Sequence, residues 1–285
     1  MKRIVPLIFF LWATVVNAGS ADSLFVEQIL NKYLVQYDAS SEMTTGMLVS
    51  AIGREFLGRP YVGGTLEVNV PDEALVVNTR EVDCTTFVDQ VLALTLSVLH
   101  GQGDYSAFCR WLTALRYRGG VVDGYASRLH YFTDFVRDNS DWLEPVPSAD
   151  DDRYPLQEVT LSFMSTHHDS YPALKENAKA VSLIRDVENR YVSYPVRYIP
   201  KEKVPFFSNL HEGDVVALLT TVKGLDVSHL GIVVKEQGEL RLLHASSVAG
   251  KVIVEPRSLS AMLSSRKSCP GIRIVRLKDC TIPNI

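Results

Sequence analysis

One cysteine and two histidines, far apart in the chain, have the types and settings that could do chemistry. Cys84 lies in Glu81-Val82-Asp83-Cys84-Thr85-Thr86-Phe87-Val88, His229 in Ser228-His229-Leu230-Gly231-Ile232, and His244 in Leu243-His244-Ala245-Ser246-Ser247. A thiol, an imidazole base and a third polar group that orients the base are the minimum for nucleophilic acyl transfer. Asp83 is a strong helix N-cap, so Cys84 is expected on the first turn of a helix. There the positive end of the helix dipole would lower its thiol pKa. A structural cysteine would more often lie inside such a helix than at its polar start.

The histidines can be placed by register. The turn between them is Lys235-Glu236-Gln237-Gly238. A four-residue loop pairs position 229 with 244; a two-residue Gln237-Gly238 turn pairs 229 with 246 and makes 244 a diagonal neighbour. Side chains alternate with period two, so either register puts both imidazoles on one face. His229 begins its strand, beside Ser228 and just before Gly231, where a ligand could approach; it is read as the base, with His244 fixing its tautomer. The competing use of the three residues is a zinc site, in which three ligands and a water make a catalytic centre. The chain lacks the close-spaced ligand pair common in such sites, and His167-His168-Asp169 falls in a polar stretch read as solvated. Neither a metal nor a cofactor is expected.

Helices must come first and strands later to hold this set. Residues 25–57 read as helical with a break near Ser40-Ser41, followed by the loop Gly58-Arg59-Pro60-Tyr61-Val62-Gly63-Gly64. Residues 84–99 are apolar on nearly every side, which marks a central buried helix. Further helices are expected over 105–115, 129–137 and 173–190, the last a polar surface helix. Short strands between turn residues are expected at 214–219, 230–234, 240–243, 252–254 and 272–277. Consecutive strands on short loops give an antiparallel sheet, and helices before strands give an α+β fold. Residues 139–205 are less apolar and read as an insertion or lid.

The N-terminus is read as a secretory signal peptide over residues 1–18: Lys2 and Arg3, a 13-residue uncharged run from Ile4 to Val16, then small residues at Val16-Asn17-Ala18. The run is too short to anchor the chain stably in a membrane. Residues 19–285 are read as a single catalytic domain. Removing the leader takes the formal net charge from −4 to −6. An acidic export product without a Lys/Arg run is not a nucleic-acid binder. Of the four cysteines, Cys109 sits on an amphipathic helical pattern and is read as buried, while Cys269 and Cys280 are close enough in sequence to pair in an oxidising compartment. On that count Cys84 is the thiol left over.

Leu57-Gly58-Arg59-Pro60-Tyr61-Val62-Gly63-Gly64, Asp83-Cys84, His229-Leu230-Gly231-Ile232 and His244-Ala245-Ser246 resemble the NlpC-type cell-wall hydrolases, which have a papain-like fold. Three further features, Asp83-Cys84-Thr85-Thr86-Phe87-Val88, Tyr125-Ala126-Ser127-Arg128-Leu129-His130-Tyr131 and Gly224-Leu225-Asp226-Val227-Ser228-His229, resemble the N-acetylmuramoyl-L-alanine amidase-like branch. The resemblance covers most of residues 45–277. It implies a cysteine nucleophile at 84, a base at 229 and an orienter at 244. The implied reaction is cleavage of the amide between the muramic acid lactyl group and L-alanine of peptidoglycan or its muropeptides. The alternatives are a stem-peptide endopeptidase cutting between D-glutamate and the diamino acid, and a catalytically silent wall-binding module. Tyr61 matches a tyrosine that hydrogen-bonds substrate or the oxyanion in the family. Asp83, Ser127, Arg128, His130 and Ser228 complete the candidate substrate contacts, each with an equally plain role as a cap or loop residue. The expected product is a periplasmic monomer.

Overall fold

The computed structural model describes residues 20–39, 42–68 and 72–279. The leader and Cys280, with its pairing to Cys269, lie outside the described residues. In chain order the elements are α1 (Ser20–Ala39), α2 (Thr45–Arg54), α3 (Cys84–Leu99), α4 (Tyr105–Arg116), α5 (Phe132–Asp138), β1 (Leu143–Val146), β2 (Leu156–Val159), α6 (Phe163–Thr166), α7 (Ala178–Glu188), β3 (Tyr194–Arg197), β4 (Ile199–Pro200), β5 (Val215–Leu219), β6 (Val227–Glu236), β7 (Glu239–Ser246), β8 (Lys251–Val254), α8 (Leu259–Ser264) and β9 (Gly271–Leu277). Five helices precede the first strand, α6 and α7 fall between β2 and β3, and α8 falls between β8 and β9; the class is α+β.

Helix α3 starts at Cys84 because its cap is complete. Asp83 Oδ1 accepts from the Thr86 N–H at 2.8 Å, and Thr86 Oγ1 accepts from the Asp83 N–H at 2.9 Å, a reciprocal pair that satisfies two otherwise orphaned donors. Every residue from Thr86 to Leu99 is buried. The helix therefore runs through the core, packed by α1, α2 and α4 and laid against β6 and β7. Removing a side chain such as Leu92 or Leu94, each fully buried, should cost about 2–5 kcal/mol.

The sheet is antiparallel, in the order β1-β9-β5-β6-β7-β8, with β4 also on β9. Both of its faces are covered. Val215, Ala217, Ile232, Val234, Leu243 and Val275 join the core containing α3. Val216, Leu218, Val233, Leu242, Ile272 and Ile274 join a second core with Leu259 and Met262 of α8. Two-sided burial explains why Val215–Leu219 is a continuous apolar run and not an alternating one. Within residues 139–205, β1 forms an edge strand of the main sheet, while the antiparallel β2–β3 pair and α7 build a third small core around Leu161, Leu174, Ile184 and Tyr191. Helix α7 is thus not purely a surface helix: Val181, Ile184 and Val187 are buried.

Candidate active site

A cavity of about 250 Å³ opens where the N-terminus of α3 meets the start of β6, and Cys84 and His229 both line it. Cys84 is half-buried. Its sulfur is within hydrogen-bonding reach of the Leu230 N–H, the Thr85 hydroxyl and its own N–H, yet burial first, and the Asp83 carboxylate second, push the thiol up to about 11. The expected dipole-lowered thiol is therefore overturned. Desolvation of a thiolate and an adjacent carboxylate outweigh the three donors. The Leu230 contact comes from the residue next to His229, so helix and hairpin meet.

The hairpin takes the two-residue turn. Glu236 pairs with Glu239 and Ile232 with Leu243, and Gln237 and Gly238 both have positive φ, 52° and 83°, as a tight hairpin turn requires. This register makes the imidazoles diagonal neighbours: His229 Nε2 lies 2.7 Å from His244 Nδ1, with the rings edge to face at 87°. Gly231 makes the approach possible. A Cβ there would lie 2.7 Å from Leu242 Cγ and 3.0 Å from His244 Cβ. Strand β6 bulges at Ser228, since Leu218 pairs with His229 but Leu219 with Val227. The extra residue leaves Ser228 exposed on the cavity rim and turns His229 at the strand entrance.

Glu255 is the member that the sequence reading missed. It follows β8 and lies two positions beyond Ile253, the partner of His244, so parity alone places it on the same face. His244 Nε2 is buried without a hydrogen-bond partner among the described residues and faces Glu255 Oε2 at 3.9 Å. Glu255 is in turn held by Arg257 Nε at 2.7 Å. At 3.9 Å the carboxylate acts electrostatically and not through a hydrogen bond. It favours the His244 tautomer protonated on Nε2. Nδ1 of His244 then accepts from His229 Nε2–H, and the His229 Nδ1 lone pair is left free. Burial holds both rings neutral: His229 falls to about 3, with His244 as the second cause, and His244 falls to about 4 although Glu255 opposes the fall.

The remaining candidates separate. Tyr61 is close to the thiol: its phenol is pushed up by burial first, then by Cys84 and Asp83. His130 lines the cavity; its Nε2 meets the Tyr125 carbonyl at 2.8 Å, and burial and Arg128 bring it down to about 3. Arg128 is buried on the lining, but its guanidinium is already clamped by Glu73 at 2.7 Å and Glu67 at 2.7 Å. That charge is matched within the protein. Ser127 closes a local turn, donating to the Gly124 carbonyl at 2.7 Å, and lies off the cavity lining. The carboxylates in the cavity wall are also engaged. Asp89 takes Arg116 through two bonds of 2.8 and 3.1 Å, and Asp226 accepts from the Thr133 N–H at 2.6 Å and hydroxyl at 2.8 Å. Among the described residues no three His, Cys, Asp or Glu side chains are grouped to hold a metal ion. His244 Nδ1 is committed to His229.

Residues 51–272 match the family profile described as AmiA-like, N-acetylmuramoyl-L-alanine amidase-like. The chain belongs to this family. Among solved structures it is similar to an N-acetylmuramoyl-L-alanine amidase from Bacteroides uniformis ATCC 8492, at 38% identity, over 82% of this chain and 99% of that one, with a TM-score of 0.77. A Bacteroides fragilis protein provisionally named a xylanase is 42% identical over 80% of this chain and all of that one, with a TM-score of 0.73. A Legionella pneumophila str. Philadelphia 1 protein shares the fold at 22% identity and a TM-score of 0.66, over 91% of this chain and 97% of that one. No curated protein matches. The family match spans α3 and the hairpin together, so Cys84, His229, His244 and Glu255 all fall within it. No helix among the described residues is long and apolar enough to cross a membrane.

Proposed function

We propose that this protein is an exported cysteine amidase that cleaves the amide between N-acetylmuramic acid and L-alanine of murein or muropeptides. The observation that carries this reading is the shared cavity: Cys84 at the start of α3 and His229 at the start of β6 both line it, with His244 hydrogen-bonded to His229 and Glu255 facing His244. The helix-borne cysteine set against an antiparallel sheet is taken as a papain-like, NlpC-type arrangement. Residues 19–285 are taken as one catalytic domain, released into the periplasm after loss of a leader.

Both reacting groups rest neutral, so the proton moves with the attack. His229 Nδ1 takes the Cys84 proton as Sγ adds to the lactyl carbonyl. The Cys84 N–H, at the helix start, donates to the developing oxyanion. The imidazolium on His229 is stabilised through His244 by Glu255. His229 then gives its proton to the L-alanine nitrogen as the C–N bond breaks, leaving a muramoyl thioester. A water, deprotonated by His229, adds to the thioester and releases the acid and the thiol. The sequence needs no cofactor.

The xylanase label on one relative raises glycoside hydrolysis, which needs two free carboxylates across the scissile bond. Asp89 is neutralised by Arg116 and Asp226 is spent on Thr133, which favours the thiol reaction. Mass spectrometry of a digested muramoyl peptide tests the bond choice. Release of an intact peptide with a free L-alanine amine supports the amidase. A shortened stem peptide points to the endopeptidase, and no product at all points to a wall-binding module.

A further inference from the structure

A second cavity, of about 410 Å³, lies on another side of α5, between that helix, β1, β9 and the β2–β3 pair of residues 139–205. Its charge balance is unusual. Arg137, Arg197 and Arg273 line it, and the lining includes no Asp or Glu. None of the three arginines forms an ion pair with a carboxylate among the described residues. Arg197 donates to two backbone carbonyls, Ala149 O at 3.1 Å and Tyr154 O at 2.6 Å. Arg137 lies over the rings of Tyr191 and Tyr194 at 5.8 and 6.0 Å. Arg273 is 93% buried: it stacks on Phe132 at 5.2 Å, and its Nη1 donates to the Thr133 hydroxyl at 2.7 Å.

A guanidinium so far removed from water is normally matched by an anion. The nearest compensation for Arg273 is indirect, through Thr133 to Asp226. Burial correspondingly pulls Arg273 below the ordinary arginine range, with Asp226 opposing. The apolar walls, from Leu156, Val196, Pro145 and Pro195, would sit poorly around a small hydrated ion. They suit a molecule with an apolar body. The planar guanidinium fork matches a carboxylate in two parallel hydrogen bonds, and the cavity has the size of a small-molecule site.

We propose that this cleft binds an amphipathic carboxylate, with the acid group on Arg273 and Arg197 and the apolar body along the β2–β3 pair. The site is separate from the cavity of Cys84 and does not depend on the reaction proposed there. It gives residues 139–205 a binding role.

N-acetyl-L-phenylalanine, followed by NMR line broadening on the full chain, is a suitable probe, with N-acetyl-L-phenylalaninamide as the uncharged isostere. The carboxylate should bind with Kd on the order of millimolar, and the amide at least about tenfold more weakly. Arg197→Gln and Arg137→Gln, both at partly or fully exposed positions, should each weaken the carboxylate several-fold while the circular dichroism spectrum stays native. Arg273→Gln should abolish binding, provided that its circular dichroism stays native. Carbamidomethylation of Cys84 should leave binding unchanged. Equal binding of acid and amide, full affinity in both surface variants, or loss of binding on Cys84 alkylation would overturn the proposal.

Discussion

Asp83 serves two purposes that one substitution can separate. Its carboxylate caps α3, and it is also the charge that raises the Cys84 thiol after burial itself. Asn caps a helix as well as Asp does, so Asp83→Asn should retain the start of α3 while removing the charge. Two unit charges about 6 Å apart at an effective dielectric of about 40 interact by roughly 1.4 kcal/mol, which is about one pKa unit. A thiol at about 11 is thiolate in roughly one molecule in 3,000 at pH 7.5, and the variant in roughly one in 300. Iodoacetamide labelling of Cys84, read by peptide mass spectrometry between pH 6 and 10, should therefore be slow and rise about tenfold per pH unit. Asp83→Asn should label about tenfold faster at pH 7.5 with little change in melting temperature, whereas Asp83→Ala should also lose about 1 kcal/mol of stability. Labelling that plateaus near pH 8 in the parent, or is no faster in Asp83→Asn, would refute the argument that burial and Asp83 hold the thiol neutral.

Other consequences follow from the same geometry. Glu255→Gln removes the charge behind His244; kcat on a muramoyl peptide should fall on the order of tenfold with KM unchanged, and an unaltered kcat would remove Glu255 from the relay. Gly231→Ala forces a Cβ against Leu242 and His244; it should cost about 1–3 kcal/mol in a denaturant titration and lower activity by separating the imidazoles. His130, His229 and His244 all titrate far below their ordinary value in the fold. The unfolded chain therefore binds more protons as pH falls below about 6.5, and the melting temperature should drop from pH 7 toward pH 4. His229→Asn should flatten part of that slope. The thiol acts at the other end of the scale: the unfolded cysteine ionises near 9.0 while the folded one keeps its proton to about 11, so stability should also fall as pH rises between those values, and Cys84→Ser should lessen that loss, leaving the share of the other buried thiols and phenols.

How much of this was legible in the sequence differs residue by residue. Helix α3 was readable to its first residue because the cap is local: Asp83 and Thr86 are three apart. The shared face of His229 and His244 followed from period two and the Gln237-Gly238 turn. Strand β1 was invisible. Its four residues, Leu143-Glu144-Pro145-Val146, carry a proline and a buried-exposed-exposed-buried pattern, which an edge strand tolerates but alternation does not detect. The thiol pKa was misread because desolvation is a property of the packed cavity, whereas a helix end can be read from the chain. Arg128 was a candidate substrate contact, and its pairing could not be read from the chain because its partners, Glu67 and Glu73, are 61 and 55 residues upstream. Glu255 could have been found by counting two positions along β8, a step that needs the β7–β8 register.

The most direct test of the nucleophile is Cys84→Ala on a defined muramoyl peptide, with intact-mass spectrometry of the acid-quenched parent alongside. Turnover should vanish in the variant while its melting temperature stays near that of the parent, and the parent should show a muramoyl adduct on the peptide containing Cys84. Undiminished hydrolysis by a folded Cys84→Ala protein would contradict the thiol mechanism.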